Sequence, residues 1–554
     1  MAVMRRIRTL SAVVSAIAVF ALVGGLAGRR LVAADDKVPD HYKAFTAALS
    51  AIETNYVDKV ESDRLVYGAI RGMLSTLDPH SSFYDPREYA RMRERQEGHY
   101  YGIGIEISAV GSDIVAQKIF EGSPSAKSGM RQGDVLARIG GEDTKTWNCE
   151  APTGDCTERA MKKLRGARGT PVEISLRRRG YKELIPVELV RDEILIPTVP
   201  AAFMIDQTTG YVQLRDFGES TDRDLHRALK SLTSQGMRQL LLDIRNNPGG
   251  PLDQAIKVVN EFVGRGKMIV YTRGRIANSD QDYRATEDGE FTTVPIVMMA
   301  NRSSASASEI VTGALQDHDR AYVVGETTFG KALVQSVYRI SGGAGLALTT
   351  AHYYTPSGRL IQRPWDASFD DYQLYTLRDQ GDAARPHSAS DLKHTDAGRP
   401  VYSGGGIEPD RRVAGVMEGF NPTRFSRALW NSNNGGVFGT YASRFDVEGD
   451  KRVKEVPTGR HTVKSGFVVD DAMVVEFKDL LKSERIRVNE DSLKKDNEFV
   501  RAMIRYEIDR ALFGVAEARR HLIDVDPQAK VALTMFGEAS KLAELSRTSS
   551  KAAH

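Results

Sequence analysis

Neither sign of charge dominates the 554-residue chain: Lys plus Arg total 76 against 73 for Asp plus Glu, a net +3. So even a balance offers no basic footprint, and nucleic acid is set aside as a partner. Cysteine is almost absent. The two residues, Cys149 and Cys156, have no further Cys or His at ligand spacing, so no zinc site is built, and no metal or cofactor is called for. They lie in WNCEAPTGDC, a loop-like stretch that an oxidising compartment could close as a small disulfide loop, two unpaired thiols being the alternative. Long apolar runs are missing beyond the N-terminus, which excludes a many-spanning membrane protein. A glycine at 107 is missing too. Ile107 stands where Gly-x-Gly-x-x-Gly, begun at Gly102 and Gly104, needs its third glycine, so that stretch is no dinucleotide loop.

The one long apolar run, Leu10 to Gly28, is 19 residues between Arg5, Arg6, Arg8 and Arg29, Arg30. That length is close to the ~20 residues of a spanning helix and exceeds most signal-peptide cores. It directs export either way. Small residues at Val32 and Ala34 offer a cleavage site, but the preceding arginine pair favours retention as an anchor in the inner membrane, with the rest in the periplasm or an equivalent extracytoplasmic space.

The remainder divides by pattern. Residues 1–36 are the export segment, and 37–96 carry apolar residues at helical spacing, Phe45, Leu49, Ile52, Val66, Ile70, closing in a loop where Pro79 and Pro86 break helix. Residues 97–192 are short strands with one helical stretch, TERAMKKLRG. Residues 193–412 alternate strand and helix, an α/β layered core with catalytic residues expected at strand ends, interrupted by a polar insertion at 366–399. Residues 413–554 form an Asn/Gly-rich and then helical extension for which the sequence suggests no function.

Four signals converge in the core. LLLDIRNNPGG runs an apolar strand into a turn whose glycines, Gly249 and Gly250, let backbone amides face a ligand. In NRSSASASEI, Ser306 stands three before Glu309, the spacing of a capping box, and its plain reading is a helix N-cap; the same helix start could stabilise a developing negative charge. In GETTFGKALVQ, Lys331 sits between Gly330 and Ala332 after an apolar strand, surroundings whose desolvation lowers a lysine's pKa toward the range of a general base. Gln335, four residues on, can orient that amine.

Two rival chemistries are weaker. Gly325 to Lys331 spells G-x-x-x-x-G-K, but Ala332 lacks the hydroxyl that would hold magnesium. His318, twelve residues after Ser306, would serve a His-based hydrolase, yet QDHDR reads as a helix end with a capping or solvated histidine. A catalytically silent tail-binding scaffold is the third alternative.

The order DIRNNPGG, SASASEI, ETTFGK with its Gln, then AHYYTPSGR and GIEPD, resembles the carboxyl-terminal processing proteases, serine peptidases with a PDZ domain, over most of residues 41–412. The resemblance implies a crotonase-like α/β core. It also implies Ser306 as nucleophile and Lys331, 25 residues later, as base, with Gln335 in support and the oxyanion amides at Gly250 and Ala307, Gly249 being the neighbouring alternative. It further implies a PDZ-like domain whose loop Gly102-Ile103-Gly104-Ile105 receives the carboxylate of an apolar protein tail. The chain departs from the family at Ser303 and Ala332, where glycine is usual. The implied partners are exported protein or peptide substrates; an adaptor and self-association into a homo-oligomer are compatible with the reading.

Overall fold

The computed structural model describes residues 38–147, 156–178, 180–365, 387–414, 423–430, 436–449 and 460–552, with a few positions between 370 and 376. The export segment 10–28 and Cys149 lie outside the described residues. Cys156, at the start of a helix, is disulfide-bonded. No helix among the described residues is long and apolar enough to cross a membrane.

The chain forms two compact units, one of residues up to Asp85 with Tyr338–Ala347, the other of Pro86–Val337 with Leu348–His554. In the first, the helices Val38–Asn55 and Ser62–Leu74 match the sequence periodicity. A short strand, Ser82–Tyr84, pairs antiparallel with Gly345 to Ala347, and Phe83 is buried on it under Tyr67.

The second unit opens with the helix Pro86–Glu97. Pro86 therefore starts a helix, where its missing N–H costs nothing, besides ending the loop expected there. The strands Ile105–Val110, Asp113–Ile119, Val135–Ile139, Pro171–Arg177 and Ile185–Val190 form one antiparallel sheet in that order. Its core gathers Ile103, Ile114, Leu136, Ile139 and Leu176 with Ala160 and Leu164 of the helix Cys156–Leu164. This is the PDZ-like domain.

The α/β core is a six-stranded sheet. Ala201–Met204 runs antiparallel to Thr209–Gln213, and Gln239–Asp243, Ile296–Ala300, Ala321–Gly325 and Arg411–Arg412 follow in parallel. Thr209–Gln213 and Ile296–Ala300 are buried along their whole length, which requires cover on both faces. The period of two decides the partners. Leu240, Leu242, Ile296 and Met298 face the helices Thr221–Ser234, Leu252–Asn260 and Ala307–Asp317 through Leu225, Leu229, Val258, Val311 and Leu315. Leu241, Val297, Met299 and Val324 face the other way, onto Ile523, Ala529, Ala532, Phe536 and Ala539. The C-terminal extension is thus the second layer of the core sheet. Its helices Asp471–Ser483 and Asn497–Leu512 have a separate core around Phe438, Phe477, Phe499 and Ile504.

The insertion is not all loop. Leu392–His394 pairs with Pro400–Tyr402 in a hairpin. Asp396 at its turn meets His318 Nδ1 at 2.9 Å and Lys267 Nζ at 2.8 Å, and Arg399 pairs with Asp319 at 2.6 Å. Polar composition hid a segment that is tied down by ion pairs.

Candidate active site

The strands Gln239–Asp243, Ile296–Ala300 and Ala321–Gly325 end side by side, and the loops that leave them build the site. The first is Ile244 to Pro251. Asn247 is fully buried there: its Oδ1 accepts the Gly249 N–H at 2.9 Å, and its Nδ2 donates to the Leu214 carbonyl at 2.9 Å. The Asn247 carbonyl accepts from Ala305 N–H at 3.0 Å and Ser308 Oγ at 2.9 Å, joining this turn to the serine-rich one. Gly249, at φ +96°, passes so close that a Cβ would lie 2.7 Å from the Ala305 carbonyl oxygen and 2.8 Å from the Ser306 Cβ. A Cβ on Gly250 would meet the Phe217 carbonyl at 2.2 Å.

The four serines of the second loop divide their labour. Ser304 is buried and donates to the Ile244 carbonyl at 2.9 Å, and Ser308 holds Asn247. Ser303, where the family usually has glycine, donates its N–H to Asn301 Oδ1 at 3.2 Å. Ser306 differs: it is half-buried, at the N-cap of Ala307–Asp317, with φ 55° and ψ −115°, and its hydroxyl makes no capping bond. A serine with positive φ is strained, and such strain gathers where a side chain is presented to a ligand. The N-cap reading holds for the backbone, since Glu309 N–H donates to the Ser306 carbonyl and the Glu309 carboxylate accepts the Ser306 N–H, both at 2.8 Å.

The third loop carries Lys331. Its neighbours Gly330 and Ala332 are buried as expected, while Lys331 itself is half-buried and donates from Nζ to Gln335 Oε1 at 3.0 Å. Two buried groups fasten this loop to the serine. The fully buried Glu309 accepts from Ser306 N–H at 2.8 Å, Lys331 N–H at 2.9 Å, Gly330 N–H at 2.6 Å and Thr328 Oγ1 at 2.5 Å. Burial raises its carboxyl above the usual range, and these four donors work against that rise. On the opposite side of the two peptides, Tyr353 donates to the Lys331 carbonyl at 2.8 Å and the Ser306 carbonyl at 3.1 Å. Burial, with Glu309 and Tyr372 nearby, holds its phenol well above the ordinary value, so it stays a donor. The amides and the carbonyls of residues 306 and 331 each lie within two hydrogen-bond lengths of one another.

Among the described residues, the N–H groups of Gly250 and Ala307 donate to no protein acceptor, whereas that of Gly249 is taken by Asn247. Two unengaged donors thus flank the Ser306 turn. His318 is occupied elsewhere: Nδ1 meets Asp396, and Nε2 meets the Met268 carbonyl at 2.6 Å. In the PDZ-like domain, Ile103, Gly104 and Ile105 line a cleft of about 720 Å³ with Tyr100, Phe120 and Leu164. The N–H groups of Ile103 and Gly104 donate to nothing among the described residues.

Sequence reasoning named Glu309 only as a cap and missed Asn247, Thr328 and Tyr353. A turn spelled NNPGG hints at Asn247, since Asn side chains commonly bond their own turn. Nothing local marks Tyr353, 47 residues from its serine partner.

Comparison with known proteins identifies the family. Residues 208–365 match the model of peptidase family S41, and residues 29–88 match the N-terminal domain of the activating protease CtpB. A carboxy-terminal-processing protease of Bartonella bacilliformis is 38% identical over 315 residues, 56% of this chain and 70% of the relative. A carboxyl-terminal-processing protease of Synechocystis sp. is 34% identical over 54% of this chain and 68% of the relative. Among solved structures, a photosystem II D1 C-terminal processing protease is 31% identical, covering 57% of this chain and 88% of that one at a TM-score of 0.31. With such relatives aligned over more than two thirds of their length, the chain belongs to the carboxy-terminal processing proteases of peptidase family S41 and is a serine-type peptidase.

Proposed function

We propose that the chain is an endopeptidase of exported proteins in which Ser306 and Lys331 form the catalytic dyad. The observation that carries this reading is the double tie of Glu309 and Tyr353, which holds the backbone of Ser306 against that of Lys331. Neutral Lys331, oriented by Gln335, takes the proton of the Ser306 hydroxyl as the oxygen attacks a peptide carbonyl. The N–H groups of Gly250 and Ala307 receive the oxyanion, aided by the start of the 307–317 helix. Collapse of the tetrahedral species expels the amine, which takes up the proton from the lysine, and water then releases the acyl group by the same steps. Substrate tails dock by their terminal carboxylate on the amides of Ile103 and Gly104, an apolar last residue entering the cleft beside Phe120 and Leu164. The N-terminal apolar segment fits export, with retention as an anchor.

The test is digestion of an unfolded protein by wild type, Ser306→Ala and Lys331→Ala. Each variant should lose activity by about a hundred- to ten-thousand-fold with the fold intact. Equal cleavage by all three would end the dyad reading. Tail docking is checked separately by titrating one apolar peptide as the free acid and as the amide: only the acid should bind.

A further inference from the structure

The apolar cover of the core sheet brings with it a polar contact that reaches the oxyanion turn. Asp526 caps the helix Pro527–Thr534, its Oδ1 accepting from Gln528 N–H at 2.9 Å and Ala529 N–H at 3.2 Å. Its Oδ2 lies 2.8 Å from Nη1 of Arg245. Gln528, fully buried, accepts from the same Nη1 on Oε1 at 2.8 Å and donates from Nε2 to the Val413 carbonyl at 2.9 Å.

Arg245 is itself almost wholly buried and grips Asp243 with Nε and Nη2 at 2.9 and 2.7 Å. Asp243 also accepts from Tyr211 at 2.8 Å. A buried guanidinium needs this much anionic company, because leaving it short of a partner costs the full desolvation of a charge. Arg245 stands two residues before Asn247, the side chain that holds Gly249 and the serine turn. Val413 N–H donates to the Gly325 carbonyl, where the strand feeding the Lys331 loop ends. The start of one C-terminal helix therefore touches the roots of both catalytic loops.

We propose that Asp526 and Gln528 are positioning residues for peptide cleavage, holding Arg245 and through it the oxyanion turn in register with Ser306. This rests on the dyad reading above. They act through Arg245 and touch no reacting atom. Their loss leaves substrate docking in place and weakens the grip on the tetrahedral species, since a turn displaced by about 1 Å costs on the order of a hundredfold in rate.

The experiment uses the full chain. Asp526→Asn retains a capping oxygen, asparagine being as good an N-cap as aspartate, and removes the charge facing Arg245. Gln528→Leu removes the second contact, and Asp526→Ser supplies a small cap should the asparagine variant misfold. As control, Asp470→Ala strips the cap of the 471–483 helix, whose Asp470 Oδ1 accepts from Met473 N–H at 2.9 Å, without touching Arg245. For each we measure kcat and KM on an unfolded protein, affinity for a peptide boronate that forms a tetrahedral adduct on serine, and affinity for a free-acid tail peptide. The Asp526 and Gln528 variants should lose about ten- to a hundredfold in kcat and in boronate affinity together, with KM and tail affinity unchanged. Asp470→Ala should keep the wild-type kcat. Wild-type kcat and boronate affinity in the folded Asp526 and Gln528 variants would overturn the proposal, as would an equal fall of kcat in Asp470→Ala. Ser306→Ala, run alongside, separates the two readings: if it cleaves normally the dyad has failed, whatever residue 526 does.

Discussion

Replacing Glu309 by glutamine changes one atom and should cripple the enzyme. The carboxylate accepts four hydrogen bonds, two of them on the oxygen that serves Ser306 N–H and Lys331 N–H. A glutamine NH2 in that place turns two acceptances into two donor-against-donor contacts, with both amides still buried. Each bond to a charged acceptor contributes about 1.5–3 kcal/mol, and relief from burying a charge returns part of the loss, so the net cost should be roughly 2–4 kcal/mol. The Ser306 backbone, at φ 55°, stores on the order of 1–3 kcal/mol of strain, comparable with what the Glu309 contacts supply. Freed of that tie, the serine relaxes toward ordinary helical entry, and the Ser306 and Lys331 backbones lose one of the two contacts that hold them together. The expected result is a fall in kcat of about a hundredfold with KM little changed, and a thermal midpoint lower by roughly 5–15 °C. Steady-state kinetics on an unfolded substrate and a thermal melt read both. A glutamine variant that melts lower yet keeps wild-type kcat would refute the strain argument.

Tyr353→Phe should lower kcat about tenfold and cost about 1–2 kcal/mol, because one buried donor to two carbonyls is lost; unchanged turnover would remove Tyr353 from the positioning set. Gly249→Ala should abolish activity and destabilise the core, since its Cβ would sit 2.7 Å from a backbone oxygen that cannot retreat, and peptide-boronate titration would show whether the oxyanion turn has gone. Asp396→Asn is the pH test. Burial alone would raise this carboxyl, but hydrogen bonds from His318 and Lys267 outweigh burial and bring it from 3.8 to about 2. Its contribution is therefore fully present above the ordinary carboxylate value and is lost as pH falls toward about 2. The variant should melt below wild type at neutral pH, with the gap closing over that acid range; a constant gap would contradict the ion-pair account.

The site was legible where its physics is local. Small residues and a helix start marked Ser306 locally as an N-cap, small neighbours marked Lys331 as a candidate base and spacing marked Gln335, while the resemblance to the processing proteases is what made the serine the candidate nucleophile. The G-x-x-x-x-G-K spelling at Gly325 to Lys331 also has a local meaning, though not a nucleotide: its amides at Gly330 and Lys331 do cradle an anion, the carboxylate of Glu309. What was not legible depends on contacts distant in sequence. The unbroken apolar runs in LLLD and IVMM state that both faces of a strand are buried without saying by what, and the helical period after Asp491 says only that those helices have a buried side. Which segment covers which face is settled by the fold, where Phe536 and Ala529 meet Val297 and Met299. Tyr353 was invisible for the same reason.

The roof of the core sheet has a consequence for how the molecule ripens. Gln528 meets Arg245 across 283 residues of chain. At about 5–20 residues per second of synthesis, roughly a quarter of a minute to a minute separates the making of the oxyanion strand from the making of the helix that shields it. Through that interval Leu241 and Val297 lack the cover that Ala529 and Phe536 later give them, so the core sheet gains its second layer last.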